Sequence, residues 1–124
     1  MFDPKHEKMT AEQIRRLQNR RLKKMVQYAY DNVPMYRKRW KAAKVKPEDV
    51  KTVDDLVKLP FTVKNDLRDH YPYGILAVKV AEVNRFHASS GTTGKPTVVG
   101  YTRNDLQMWA EVCARCLALS GAQP

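Results

Sequence analysis

Ser89-Ser90-Gly91-Thr92-Thr93-Gly94-Lys95-Pro96, set between Val83-Asn84-Arg85-Phe86 and Val98-Val99-Gly100-Tyr101, is the stretch on which the reading of this chain turns. Four hydroxyl residues, two glycines and a lysine fall within Ser89 to Lys95. The flanking runs carry apolar and β-branched residues that suit strands, so the stretch reads as strand, Gly-rich loop, strand. Glycine relaxes the backbone restrictions that keep successive N–H groups from converging on one anion, and Gly91 and Gly94 supply that freedom. The hydroxyls of Ser89, Ser90, Thr92 and Thr93 add neutral donors. The Lys95 ammonium adds a charge-assisted bond, about twice as strong as a neutral one. The composition therefore suits a polyphosphate, and Pro96 stiffens the exit.

Two common phosphate motifs do not fit the spacing. A G-x-x-x-x-G-K-[ST] loop needs glycine where Ser89 stands and a hydroxyl where Pro96 stands. The G-x-G-x-x-G fingerprint lacks its first glycine.

Composition narrows the class. A chain of 124 residues with 43% hydrophobic content is ample for one domain. No apolar run approaches the roughly 18 residues of a membrane span, and the N-terminus lacks the apolar core of a signal peptide. A cytoplasmic location is expected. Two cysteines do not make a secreted disulfide scaffold. The net charge of +10 is unevenly placed: residues 1–50 hold 14 Lys or Arg against 6 Asp or Glu, and residues 51–124 hold 9 against 7. The charge belongs to a basic N-terminal region, 1–50, and not to the glycine loop.

Working outward, Thr10-Ala-Glu-Gln13 is a capping-box pattern followed by apolar residues at helical spacing, which predicts a helix from about Ala11 to Tyr30. Asn32-Val33-Pro34 interrupts it, and a second helix starts at Pro34 and runs to about Ala43, with Tyr36 and Trp40 on one face. The run Arg15 to Lys24 is read as a solvated helix face whose stems cover apolar surface, with nucleic-acid phosphates or an anionic membrane as the alternative partners. Tyr28, Tyr30, Tyr36 and Trp40 are read as packing groups.

Thr52 and Thr62 are each read as the N-cap of a short helix, with Asp54, Asp55, Asp66 and Asp69 capping and solvated, and no metal site. Tyr71-Pro72-Tyr73-Gly74 reads as a turn. Thr102-Arg-Asn-Asp105 opens a last helix, whose stripe of Leu106, Trp109, Ala110, Cys113 and Leu117 faces inward and whose Arg103, Gln107, Glu111 and Arg115 face out. Ser120-Gly121 closes it. Cys113 and Cys116 lie in the helix interior and read as packing thiols, with redox or metal use as the alternative. His6 and His70 read as solvated or hydrogen-bonded surface groups, and His87 either shapes the turn by hydrogen bonding or faces the nucleotide. The fold class expected is α/β or α+β, mainly helical at the start, then strand, loop, strand and helix.

Ser90 to Pro96 resembles, at every fixed position, the Ser-Gly-Thr-Thr-Gly-x-Pro phosphate loop of the adenylate-forming superfamily of acyl-CoA synthetases, luciferases and peptide-synthetase adenylation domains. The fuller string His87 to Tyr101 is similar to the phenylacetate-CoA ligase branch. So are Leu59-Pro-Phe-Thr-Val-Lys-Asn-Asp-Leu-Arg68, Tyr71-Pro72 and Ala29-Tyr-Asp-Asn-Val-Pro-Met-Tyr-Arg37. Many superfamily members carry lysine after the proline, where Thr97 stands here, and this leaves Lys95 as the loop's cation.

The resemblance implies that residues 51–124 begin the ATP-binding core domain of a longer enzyme. That enzyme would join an aryl acid, phenylacetate or a relative, to ATP and then to coenzyme A (CoA), with Mg²⁺ as the metal. Ser89, Ser90, Gly91, Thr92, Thr93, Gly94 and Lys95 would hold the phosphates. No other catalytic residue is expected within residues 1–124, which alone should be inactive. The uncovered helix stripe and strand edges of so short a piece suit a homodimer. The competing reading is a small basic helical module that binds nucleic acid or an acidic partner, with the loop a surface linker.

Overall fold

The computed structural model describes residues 3–90 and 94–122. It opens with a short helix that sequence reasoning missed, α1 (Pro4–Glu7), whose start is set by Asp3 accepting the His6 N–H at 3.3 Å and by proline at the first helical position. Helix α2 (Ala11–Asn32) begins at the expected capping box: Thr10 Oγ1 accepts the Gln13 N–H at 3.2 Å, and Gln13 Oε1 accepts the Thr10 N–H at 2.8 Å. Val33, held extended before Pro34, ends α2 and starts α3 (Pro34–Ala42).

The core of this helical half is small and aromatic. Val26, Trp40 and Val50 are buried, and Leu22, Ala29, Tyr30, Tyr36, Val45 and Leu59 pack around them. Trp40 stacks with Tyr30 at 6.1 Å between ring centroids and meets Tyr36 at 5.6 Å. The basic run of α2 faces solvent while Leu17 and Leu22 turn toward the protein, as expected from their spacing.

After a 3-10 turn at Pro47–Asp49 the chain passes back along α2. Asn19 Oδ1 accepts the Val53 N–H at 3.0 Å, and Arg15 pairs with Asp54, so the 3-10 helix Val53–Lys58 is tied to the α2 surface. Asp55 accepts the N–H groups of Lys51 at 3.0 Å and Thr52 at 2.8 Å, which is the capping expected of it.

The next cap corrects the sequence reading. Helix α4 (Lys64–Asp69) is capped at Val63, whose N–H is accepted by Asp66 at 2.8 Å, while the Thr62 hydroxyl donates instead to Tyr36 Oη at 3.1 Å. Nor is Asp66 solvated. It is 7% exposed and takes two bonds from the Arg39 guanidinium of α3, one of 2.7 Å, and Arg39 also donates to the Phe61 carbonyl at 2.9 Å. The Arg39 bonds, with the Val63 N–H, hold the Asp66 carboxyl well below the usual carboxylate range.

From α4 a compact turn returns the chain past α2. The Gly74 N–H donates to the His70 carbonyl at 2.8 Å, and Tyr28 Oη donates to the Ala77 carbonyl at 3.2 Å. A 3-10 turn at Val80–Glu82 leads to strands β1 (Val83–Ala88) and β2 (Val98–Thr102), an antiparallel pair in which Arg85 faces Tyr101, Phe86 faces Gly100, His87 faces Val99 and Ala88 faces Val98. Helix α5 (Arg103–Leu119) follows directly, started by Thr102 and Asp105 as expected.

Its apolar stripe is left largely uncovered, as expected of so short a piece. Within α5 no residue is buried: Trp109 is 43% and Leu117 60% exposed, both cysteines are exposed, and Leu106 is half-buried. Arg115, expected outside, is half-buried and donates to Asp3 at 2.8 Å and Glu111 at 3.2 Å. Periodicity locates an apolar face but does not say what covers it. Among the described residues, no helix is long and apolar enough to cross a membrane.

Two outcomes follow from this packing. A methyl group at Gly100 would lie 2.8 Å from Leu76 Cδ2, 3.1 Å from Val83 Cγ1 and 3.2 Å from a Phe86 ring carbon. Gly100→Val should therefore cost about 1–3 kcal/mol of stability through overpacking, read as a lower urea midpoint with unchanged slope. Asp66, whose pKa is lowered by folding, contributes stability that is complete above its ordinary value of about 4 and is lost as pH falls below it. Asp66→Asn should melt below the wild type at pH 7, and the gap should narrow as both are titrated from about pH 4 downward; a gap independent of pH would contradict the assigned pairing.

Candidate functional site

The β hairpin presents its loop at one end and is held from both faces. Paired residues in an antiparallel ladder share a face. Phe86 and Gly100 point toward the 70–78 segment, where the Tyr73 and Phe86 rings meet at 5.1 Å. The absent side chain at Gly100 is what lets Leu76 come so close. On the opposite face His87, Tyr101 and Trp109 of α5 form a cluster with centroid distances of 5.0, 5.5 and 5.3 Å. At the start of β1 a register irregularity falls between Val83 and Arg85, a bulge of the kind that increases local twist.

The loop stem continues the ladder by one step. The Ser89 N–H donates to the Thr97 carbonyl at 3.0 Å, and the Thr97 N–H donates to Ser89 Oγ at 3.0 Å. Ser89 Oγ is thereby oriented as an acceptor and retains its own proton to donate. Thr97 Oγ1 is buried without a hydrogen-bond partner among the described residues, a polar group of the sort that is costly to leave unsatisfied.

Of the residues singled out from sequence, Ser89, Ser90, Gly94 and Lys95 lie together on the exposed end of the hairpin. Gly91, Thr92 and Thr93 lie outside the described residues. Gly94 adopts φ 121°, a conformation that side-chain-bearing residues rarely adopt, so its glycine is required by the backbone and not by crowding. Lys95 is exposed and has no ion-pair partner among the described residues, which leaves its charge available to an anion.

The His87 ring is packed edge-on against Tyr101 and Trp109, a contact that the sequence did not suggest. Thr97, Tyr101 and Trp109 were not assigned to the site from sequence. The alternation His87, Ser89 and Thr97, Val99, Tyr101 is a signal for the first two, and nothing local points Trp109 at the loop. Among the described residues, no group of three or more His, Cys, Asp or Glu could hold a metal ion. A groove of about 450 Å³ lined by Tyr30, Lys41, Lys44 and Glu48 lies in the helical half and has no loop residue in its wall.

The described part of the site combines a glycine at positive φ, a stem hydroxyl oriented by the backbone and an exposed ammonium with no ion-pair partner among the described residues, groups of the kind that suit an anion. ATP phosphates fit that donor set.

No family model matches the chain. It is 55% identical over 124 residues to the phenylacetate-coenzyme A ligase of Thermus thermophilus, covering 100% of this chain and 28% of that protein. It is 51% identical over 118 residues to that of Escherichia coli, covering 95% and 27%. In fold it matches 2-hydroxyisobutyryl-CoA ligase in an open conformation with 2-HIB-AMP and CoA, at a TM-score of 0.88 and 31% identity over 98% of this chain and 29% of that one. The same ligase in its thioesterification state gives 0.83 and 35% over 90% and 25%. The chain is thus a homologue of the phenylacetate-coenzyme A ligases along its whole length, and it spans about 28% of the length of the curated relatives it matches.

Proposed function

We propose that this chain supplies the phosphate-holding part of an acid–CoA ligase. The reaction joins a carboxylate to ATP, releases pyrophosphate and then passes the acyl group from the adenylate to the CoA thiol. The observation that carries this reading is the described part of the loop: Ser89, Ser90, Gly94 and Lys95 lie together at the exposed end of the hairpin, with Gly94 at φ 121° and Lys95 without an ion-pair partner among the described residues. It is supported by a fold shared with a ligase whose structures hold an acyl-AMP and CoA.

In this reading Ser89, Ser90, Gly91, Thr92, Thr93, Gly94 and Lys95 cradle the β and γ phosphates. Negative charge builds on the departing pyrophosphate, and donors held in place beforehand stabilise it without reorganising. Mg²⁺ accompanies the nucleotide phosphates. The acid is phenylacetate or a related aryl acid, after the names of the relatives. Residues 51–124 open the ATP-binding core domain, residues 1–50 form the basic helical region in front of it, and the protein works in the cytoplasm.

Two variants test this in the ligase-length protein that carries the segment. Lys95→Ala should slow pyrophosphate release by about 10²–10³, the range seen when one oxyanion donor is removed, and should leave thioester formation from preformed acyl-adenylate nearly untouched. Equal slowing of both half-reactions would reduce Lys95 to a structural part. Gly94→Ala should likewise weaken adenylation and also lower the melting temperature, because alanine is strained at φ 121° however open the space around it; adenylation unchanged despite that strain would take the Gly94 backbone out of the site.

A further inference from the structure

We propose that Trp109 is a positioning residue for the phosphate loop, acting through a three-ring clasp with His87 and Tyr101 that holds the two ends of the loop together at Ser89 and Thr97. The proposal rests on the reading of residues 89–95 as a phosphate site.

The geometry is mutual: His87 meets Tyr101 at 61° and Trp109 at 65°, and Tyr101 meets Trp109 at 30°, so each ring touches the other two. Edge-to-face and tilted contacts of this kind have preferred orientations, so the cluster fixes direction as well as distance. His87 stands two residues before Ser89 on β1, and Tyr101 stands four residues after Thr97 on β2. The clasp therefore grips both strands just behind the stem.

The stem needs such a grip. It is closed by two hydrogen bonds, one of them to a side chain, at the end of a two-stranded sheet. A two-stranded hairpin is marginal in water unless a third element packs on it. On the His87 face that element is α5, and Trp109 brings its ring onto both strands. Trp109 remains 43% exposed, which distinguishes it from a core residue such as Trp40 at 4%. It buries only part of its surface, and its ring meets those of His87 and Tyr101. Its effect should accordingly be felt at the loop more than in the stability of the whole chain.

The test uses the 124-residue chain, with inorganic tripolyphosphate as probe in calorimetric titration, and amide hydrogen exchange at Ser89 and Thr97. The variants are Trp109→Ala, Trp109→Phe, Tyr101→Leu and Lys95→Ala. Trp109→Ala should raise the tripolyphosphate Kd about tenfold and speed exchange at both stem amides, with helical circular dichroism unchanged. Trp109→Phe, which keeps a ring on the cluster, should restore most of both. If Trp109→Ala loses helix content, Tyr101→Leu carries the same test from the strand side. Lys95→Ala should raise the Kd and leave exchange at Ser89 and Thr97 as in the wild type. Unchanged stem exchange in Trp109→Ala and Tyr101→Leu overturns the clasp. Absence of tripolyphosphate binding by the wild type, or binding indifferent to Lys95→Ala, overturns the phosphate reading, and the exchange measurement still decides the clasp.

Discussion

Arg39 and Asp66 join the two halves of this molecule. The carboxylate of Asp66 faces both ways: it accepts the Val63 N–H that begins α4 and it receives the guanidinium fork of Arg39 from the end of α3. The segments from α4 onward, including the turn at Tyr71 to Gly74 and the hairpin beyond it, are placed relative to the helical half through that contact, through Tyr28 at Ala77 and through Arg115 of α5 at Asp3. A planar guanidinium on a carboxylate gives direction as well as attraction, which a lysine at the same position would not. Because the pair is largely buried, losing either partner would strand the other's charge.

Around this joint the apolar packing is divided between two aromatic clusters. One, centred on Trp40, is the core proper; with Val26, Val33, Met35 and Val50 it makes up the buried apolar set among the described residues. The other, His87 with Tyr101 and Trp109, lies near the surface behind the glycine loop. Large apolar side chains such as Phe61 at 91%, Val57 at 89% and Leu119 at 81% stand exposed between and beyond them. The loop is thus carried on a hairpin braced from one side by α5 and from the other by the 70–78 segment. Braced stems and open tips suit a site that must offer backbone and hydroxyl donors to a highly charged ligand without rearranging.

What could be read in advance follows the range of the interactions concerned. The starts of α2 and α5 were legible because a cap joins residues three apart, Thr10 with Gln13 and Thr102 with Asp105. The cap of α4 was misplaced by one residue because Thr62 offered a hydroxyl, and the decisive Asp66 lies three beyond Val63. The loop was legible from composition, since glycine at Gly94 is demanded by its own φ angle.

Sequence by itself determined the local chemistry: where helices begin, where proline and glycine interrupt them, which strands flank the loop, and which hydroxyls and lysine the loop offers. These depend on residues a few positions apart, whose contacts are short and hardly compete with the rest of the chain. Only the tertiary structure decided that Asp66 is a buried partner of Arg39, 27 positions away, that Arg115 of α5 turns to Asp3, and that His87 packs on rings from β2 and α5. Burial and ring contacts depend on which surfaces meet after the chain has turned back on itself. A periodic pattern specifies a face, and the partner of that face is chosen by packing.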